Sequence, residues 1–114
     1  MRVTRKTVRN KLLIAAMGTM LLVTGPTLAG DAAAGKAKSK ACAACHGVDG
    51  NSASPQFPRI AGQYYDYLVK ALQRYKAGER KNPIMSPQAA NLSRRDIQDL
   101  AAYFSQQKGL VTKY

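Results

Sequence analysis

The 114-residue chain predicts an all-α fold of about four short helices joined by loops. Three observations carry that expectation. Apolar residues recur at three- and four-residue steps over residues 64–77 and again over 97–104, and no stretch alternates as a half-buried strand would. Gly, Pro, Asn and Ser gather between the periodic stretches.

Residues 1–29 stand apart from the rest. Arg2, Arg5, Lys6, Arg9 and Lys11 form a basic head, and Leu12 to Val23 is an apolar stretch too short to span a bilayer comfortably. Thr27-Leu28-Ala29 supplies small residues where a signal peptidase reads. The expectation is a signal peptide cleaved after Ala29, an exported mature domain of residues 30–114, and no stable membrane span after cleavage. Cleavage removes five of the 18 Lys and Arg and none of the six Asp and Glu, leaving 13 against 6 and a net charge of +7. Nucleic-acid binding is a poor reading of that charge, because much of it leaves with the leader and no basic recognition motif remains. Met85 becomes the only methionine of residues 30–114, and His46 is the only histidine of the chain.

The elements follow in order. Asp31 is a natural N-cap for a first helix that runs through Ala32, Ala33, Ala34, Lys36 and Ala37 to the turn at Cys42. Gly35 inside it costs helix stability and is expected to permit a close helix crossing. Residues 47–62 are rich in Gly, Asn, Ser and Pro and read as a loop. A second helix from Tyr64 to Ala77 carries Tyr64, Tyr67, Leu68, Ala71, Leu72 and Tyr75 on one stripe and ends at Gly78. Ile84-Met85-Ser86-Pro87 follows as a loop stiffened by Pro83 and Pro87. The last helix opens on Ser93-x-x-Asp96, presents Ile97, Leu100, Ala101 and Phe104, and closes at Gly109 with Lys108 in its last turn. Its stripe is expected to pack on the first helix near Gly35.

Within this frame lies Cys42-Ala43-Ala44-Cys45-His46, the Cys-x-x-Cys-His attachment signature of c-type haem. On a helical turn the two thiols fall on one face and reach one porphyrin edge, and His46 follows directly as proximal iron ligand. Met85 is the one methionine left to bind from the other side. The core count agrees with a bound group of this kind. Residues 30–114 hold only 13 Leu, Ile, Val and Phe, below the roughly 20% at which a charged chain stays disordered. One covalently bound haem would supply the missing apolar volume, so the apoprotein is expected to be largely unfolded. Ile60, Leu68 and Leu72 are candidate walls of its pocket, and Arg59, Gln63, Arg80 and Lys81 are candidate contacts for its carboxylates. Tyr64, Tyr65, Tyr67 and Tyr75 are read chiefly as packing residues.

Beyond the haem signature, the stretches Gly30 to Lys36, Cys42 to Gly50, Pro58-Arg59-Ile60-Ala61-Gly62-Gln63, Met85-x-x-x-Ala89-x-x-Leu92-Ser93 and Asp99 to Phe104 occur in the order seen in class I cytochromes c. The sequence resembles the small bacterial periplasmic type, cytochrome c-553 and each half of the two-haem cytochrome c-4 family. The resemblance implies the class I cytochrome c fold around one covalent haem c, thioether bonds from Cys42 and Cys45, axial ligation by His46 and Met85, and a carbonyl at Pro58 that orients the histidine. It implies a periplasmic electron carrier, not an enzyme. A single haem motif excludes a two-haem molecule unless two chains associate, so monomer or weak dimer is expected.

A thioether ligand raises the reduction potential of a His/Met haem. With both axial positions filled, the expected chemistry is outer-sphere, one-electron transfer through an exposed haem edge. Redox proteins with an acidic docking surface are the expected partners, steered by Lys36, Lys38 and Lys40 and by Arg74, Lys76, Arg80 and Lys81. The chief alternative is a five-coordinate haem protein that binds small gases or reduces peroxide, for which Met85 would be a core residue. A dithiol oxidoreductase would want a βαβ context, and a zinc site lacks a convincing fourth ligand.

Overall fold

The computed structural model describes residues 29–109. The expected signal peptide lies outside the described residues but for Ala29, as do residues 110–114. Among the described residues are five helices and no strand, so the all-α expectation holds. They are α1 (Ala32–Lys38), α2 (Lys40–His46), α3 (Tyr65–Ala77), α4 (Met85–Ala90) and α5 (Arg94–Ser105).

The expected first helix is two helices, broken at Ser39. The Ser39 hydroxyl donates back to the Lys36 carbonyl at 2.9 Å, and the Ser39 carbonyl accepts from Cys42 and Ala43 at 2.9 and 3.0 Å. A serine bonded in this way competes with continuation of the helix it ends. The haem signature therefore has a helix of its own. Asp31 caps α1 as expected, its carboxylate accepting from the Ala33 and Ala34 N–H groups at 2.8 and 3.2 Å.

Helix α5 is the centre of the fold, packing on both α1 and α3. Its Ser93/Asp96 capping box is fully formed. Contrary to expectation it ends at Ser105, so Lys108 lies past the last turn and its carbonyl instead accepts from Asn51 Nδ2 at 2.7 Å. The α1–α5 crossing is closer than any side chain permits: a Cβ on Gly35 would stand 2.0 Å from the Asp99 carbonyl oxygen and 2.8 Å from Tyr103 Cβ. This is the close crossing that the glycine in α1 led us to expect.

Asp99 pins the same crossing electrostatically. Its side chain is 2% exposed, yet it accepts from the Asp31 N–H at 2.8 Å, Lys38 Nζ at 2.7 Å and Arg95 Nε at 3.0 Å. Lys38 reaches Asp96 as well, at 2.8 Å. Burial pulls the Asp99 carboxyl upward, but Lys38, the Asp31 N–H and Arg95 together leave its pKa below the ordinary carboxylate value. The same pairs raise the Lys38 pKa.

On the other side of α5, Leu68 of α3 joins Leu100, Ala101, Tyr103 and Phe104 in the buried cluster, with Ile60, Leu72 and Leu92 partly buried against it. The loop after α2 is held to this cluster. Gly50 turns with φ +85, a Cβ there would meet the Ala61 nitrogen at 2.8 Å and Phe104 Cδ1 at 2.9 Å, and the Gly62 N–H donates to the Phe104 carbonyl at 2.9 Å. Helix α4 packs on α3 and on no other described helix.

Candidate functional site

Each wall of the site is set by one of these elements. A cavity of about 250 Å³ lies beside α5, bounded by residues of α2, the loop at 58–63, α3 and α4. Interiors are otherwise close-packed, and a water claims only about 30 Å³, so this space is a built site. Its lining is chiefly apolar and includes Ile60, Leu68, Leu72, Leu100 and Phe104. The stripe of α3 read from its periodicity faces this cavity, with Tyr67, Leu68, Ala71, Leu72 and Tyr75 all in the lining.

His46 and Met85 line the cavity from two helices that do not touch. His46 is 7% exposed, and its Nδ1 lies 2.8 Å from the Pro58 carbonyl oxygen. A carbonyl only accepts, so Nδ1 donates and Nε2 keeps the free lone pair that a metal needs. Cys42 is half-buried in the lining; Cys45, three residues on, is half-buried outside it. The Ser52 hydroxyl donates to the Cys45 carbonyl at 3.0 Å, tying this end of α2 to the loop. Burial, together with the charge of Cys45, pushes the Cys42 thiol up. That is the wrong direction for a reactive dithiol, which works as a depressed-pKa thiolate. Among the described residues no three His, Cys, Asp or Glu side chains gather as a metal-binding group.

The donor set fits an iron porphyrin: two thiols at the porphyrin-edge spacing, a histidine with the correct tautomer, and a thioether in the same apolar cavity. Cations sit at its polar margin. Lys38, Arg59 and Arg80 line the cavity, as does Gln63, whereas Lys81 does not. The Arg80 guanidinium lies 4.7 Å above the Tyr75 ring, and its Nη1 donates to the Tyr67 hydroxyl at 3.4 Å. Lys38, counted from sequence among the docking cations, is instead committed to Asp96 and Asp99.

The tyrosines divide. Tyr65 is half-buried and packs on the core cluster and Tyr67 and Tyr75 line the cavity, but Tyr64 lies outside it and is 54% exposed, so packing does not describe Tyr64. Sequence reasoning also missed Asn82. Met85 opens α4 where a loop was expected, and the Asn82 side chain makes this possible: Oδ1 accepts from the N–H groups of both Ile84 and Met85 at 2.9 Å. The signal was present in the sequence as Asn-Pro three residues before the methionine, since Asn is among the best helix-capping residues.

The chain is similar to known cytochromes c. The family model described as Cytochrome c matches residues 32–108. The chain is 48% identical over 99 residues to cytochrome c4 of Pseudomonas aeruginosa, covering 87% of this chain and 49% of that protein. It is 46% identical over 83 residues to cytochrome c-554(548) of Halomonas halodenitrificans, covering 70% of this chain and 100% of that protein. The crystal structure of reduced recombinant cytochrome c4 from Pseudomonas stutzeri superposes with a TM-score of 0.69 at 51% identity, covering 73% of this chain and 48% of that one. The chain thus spans about half the length of these cytochrome c4 relatives. With its fold, its cavity and its haem signature, the chain belongs to the cytochrome c family, as a class I c-type cytochrome of the c4 and c-553 kind that carries covalently bound haem c.

Proposed function

We propose that this chain is a periplasmic one-electron carrier, its haem joined to Cys42 and Cys45 and held at the iron by His46 and Met85. The chief support is the convergence of His46 and Met85 on one apolar cavity, with Nδ1 of the imidazole already engaged by Pro58. When bound, the haem supplies an iron that changes oxidation state by one electron, at a potential that a thioether ligand raises.

The chain's own groups account for the rest. The Pro58 carbonyl fixes the tautomer and ring angle of His46, so the ligand needs no reorientation between oxidation states. Ile60, Leu68, Leu72 and Phe104 keep water from the cavity, and low polarity there opposes the additional charge of the oxidised state. Met85 bound at the iron would fill the position that a small ligand or peroxide needs, which would separate a carrier from the gas-binding or peroxide-reducing alternative. Arg80, held by Tyr67 and Tyr75 and without a carboxylate partner among the described residues, offers its charge to a haem carboxylate.

Exposed Lys36, Lys40 and Lys81 would steer a redox partner with an acidic docking surface, with an on-rate that falls as salt rises. Residues 1–29 serve as a cleaved signal peptide, and the mature protein works as a monomer or weak dimer.

Visible spectra of the mature protein, ferric and ferrous, with and without carbon monoxide, test this function. The expected result is a low-spin spectrum with an iron–sulfur charge-transfer band and no response to carbon monoxide at concentrations that saturate a five-coordinate haem. A high-spin spectrum with rapid carbon monoxide binding would assign the chain to the five-coordinate class.

A further inference from the structure

We infer that Asn82 and Ser86 form a reciprocal clamp whose function is to hold Met85 on the iron and keep small ligands out. The inference rests on the proposed His46/Met85 ligation and names the residues that enforce its methionine half.

The geometry is a closed ring of hydrogen bonds around one residue. Asn82 Oδ1 accepts from the Met85 N–H and the Ile84 N–H, both at 2.9 Å. In return the Asn82 N–H donates to Ser86 Oγ at 3.1 Å, and the Ser86 N–H donates to the Asn82 carbonyl at 3.0 Å. Two side chains four residues apart thus bond to each other's stretch of backbone, and Met85 lies between them. Pro83 and Pro87 alternate with them in sequence and restrict the same backbone further.

The clamp has little help from elsewhere. Helix α4 is six residues long, touches no described helix but α3, and buries only Ala89. Ile84 is 49% exposed, so its side chain does little to fix this segment. A short helix with one buried residue would fray from its first turn, and its first residue is Met85. Each opening would carry the thioether away from the cavity and leave an axial position free. The apparent affinity for an external ligand is set by the fraction of molecules in that open state. The clamp therefore controls the difference between a closed electron carrier and a ligand-binding haem protein.

The test is carbon monoxide titration of ferrous wild type, Asn82→Ala, Asn82→Asp and, as a control, Ser93→Ala, which removes the equivalent cap from α5. Loss of a side-chain cap shifts such an opening by roughly fivefold to tenfold. Asn82→Ala should bind carbon monoxide five to ten times more tightly than wild type and show a weaker ferric iron–sulfur band. Asn82→Asp keeps both acceptor bonds and should stay near wild type. Ser93→Ala should lower the melting temperature without changing carbon monoxide affinity. Equal affinities for wild type and Asn82→Ala, or equal gains in Asn82→Ala and Ser93→Ala, would overturn the clamp. Tight binding by wild type itself would instead remove Met85 from the iron and defeat the ligation reading. If Asn82→Ala yields no holoprotein, Ser86→Ala removes the reciprocal bond and carries the same expectations.

Discussion

The two sides of α5 are built on different terms. On the α1 side protein atoms finish the structure: Gly35 admits backbone contact, Asp31 caps the incoming helix, and buried Asp99 ties α1 to α5 through the Asp31 N–H and Lys38, with Arg95 of its own helix as a third partner. On the α3–α4 side the protein stops short. Of thirteen residues in α3 only Leu68 is buried, and of six in α4 only Ala89, because their apolar faces turn toward the cavity. A helix in a small domain draws most of its stability from packing an apolar face. The α1–α5 crossing is therefore self-sufficient in its contacts, while the α3–α4 wall depends on what fills the space in front of it.

Removing both haem-attachment thiols should break that dependence most severely. Cys42→Ser with Cys45→Ser is expected to leave a chain without covalent haem and without a cooperative thermal transition, its helical signal largely lost in far-ultraviolet circular dichroism. Any protection from hydrogen exchange that survives should lie at the α1–α5 crossing. A variant with the full helical signal and a sharp melt would show that the wall does not need the cofactor.

The crossing has its own point of failure, of intermediate size. Asp99→Asn preserves shape but leaves Lys38 and Arg95 without their shared counter-charge. Hydrogen bonds to a charged group contribute about 1.5–3 kcal/mol, and the low end applies here because both cations are partly solvated. The pH dependence has a definite sign. The folded-state pKa of Asp99 is depressed, so its contribution is complete above the ordinary carboxylate value of about 4 and is lost as pH falls through the depressed one. Urea midpoints of wild type should decline below about pH 4, and those of Asp99→Asn should decline less steeply. Parallel acid limbs would mean that Asp99 does not pin the crossing.

Tyr103 offers the smallest and sharpest comparison. Its hydroxyl donates to the Val48 carbonyl at 2.9 Å, linking α5 to the loop that follows His46. Tyr103→Phe should cost about 1 kcal/mol in thermal unfolding and leave the visible spectrum unchanged. A changed spectrum would show that this bond also shapes the iron site.

Much of this contrast was legible in the sequence, but unevenly. The Cys42–His46 signature, the Asp31 and Ser93 caps and the Gly35 crossing were readable because each depends on residues a few positions apart or on backbone chemistry alone. The break at Ser39 was not, since a serine in an Ala-rich run continues a helix unless its hydroxyl turns back to Lys36. Lys38 read as a surface charge because its partners, Asp96 and Asp99, lie about sixty residues away in sequence. The Met85 segment read as a loop because two prolines dominated it, and the cap from Asn82 emerged only with the fold. The end of α5 was misplaced to Gly109 for the opposite reason. That glycine is required where Asn51 and Ala61 approach it, not as a helix stop.

The most direct test of the central claim, that Met85 from the α3–α4 wall closes the iron opposite His46, is carbon monoxide binding to ferrous Met85→Ala beside wild type. Met85 is the only methionine in residues 30–114, so no other thioether in that span can take its place. Met85→Ala should be high-spin and bind carbon monoxide readily, whereas wild type should be low-spin and should not. A variant as inert as wild type, with its ferric spectrum unchanged, would contradict that claim.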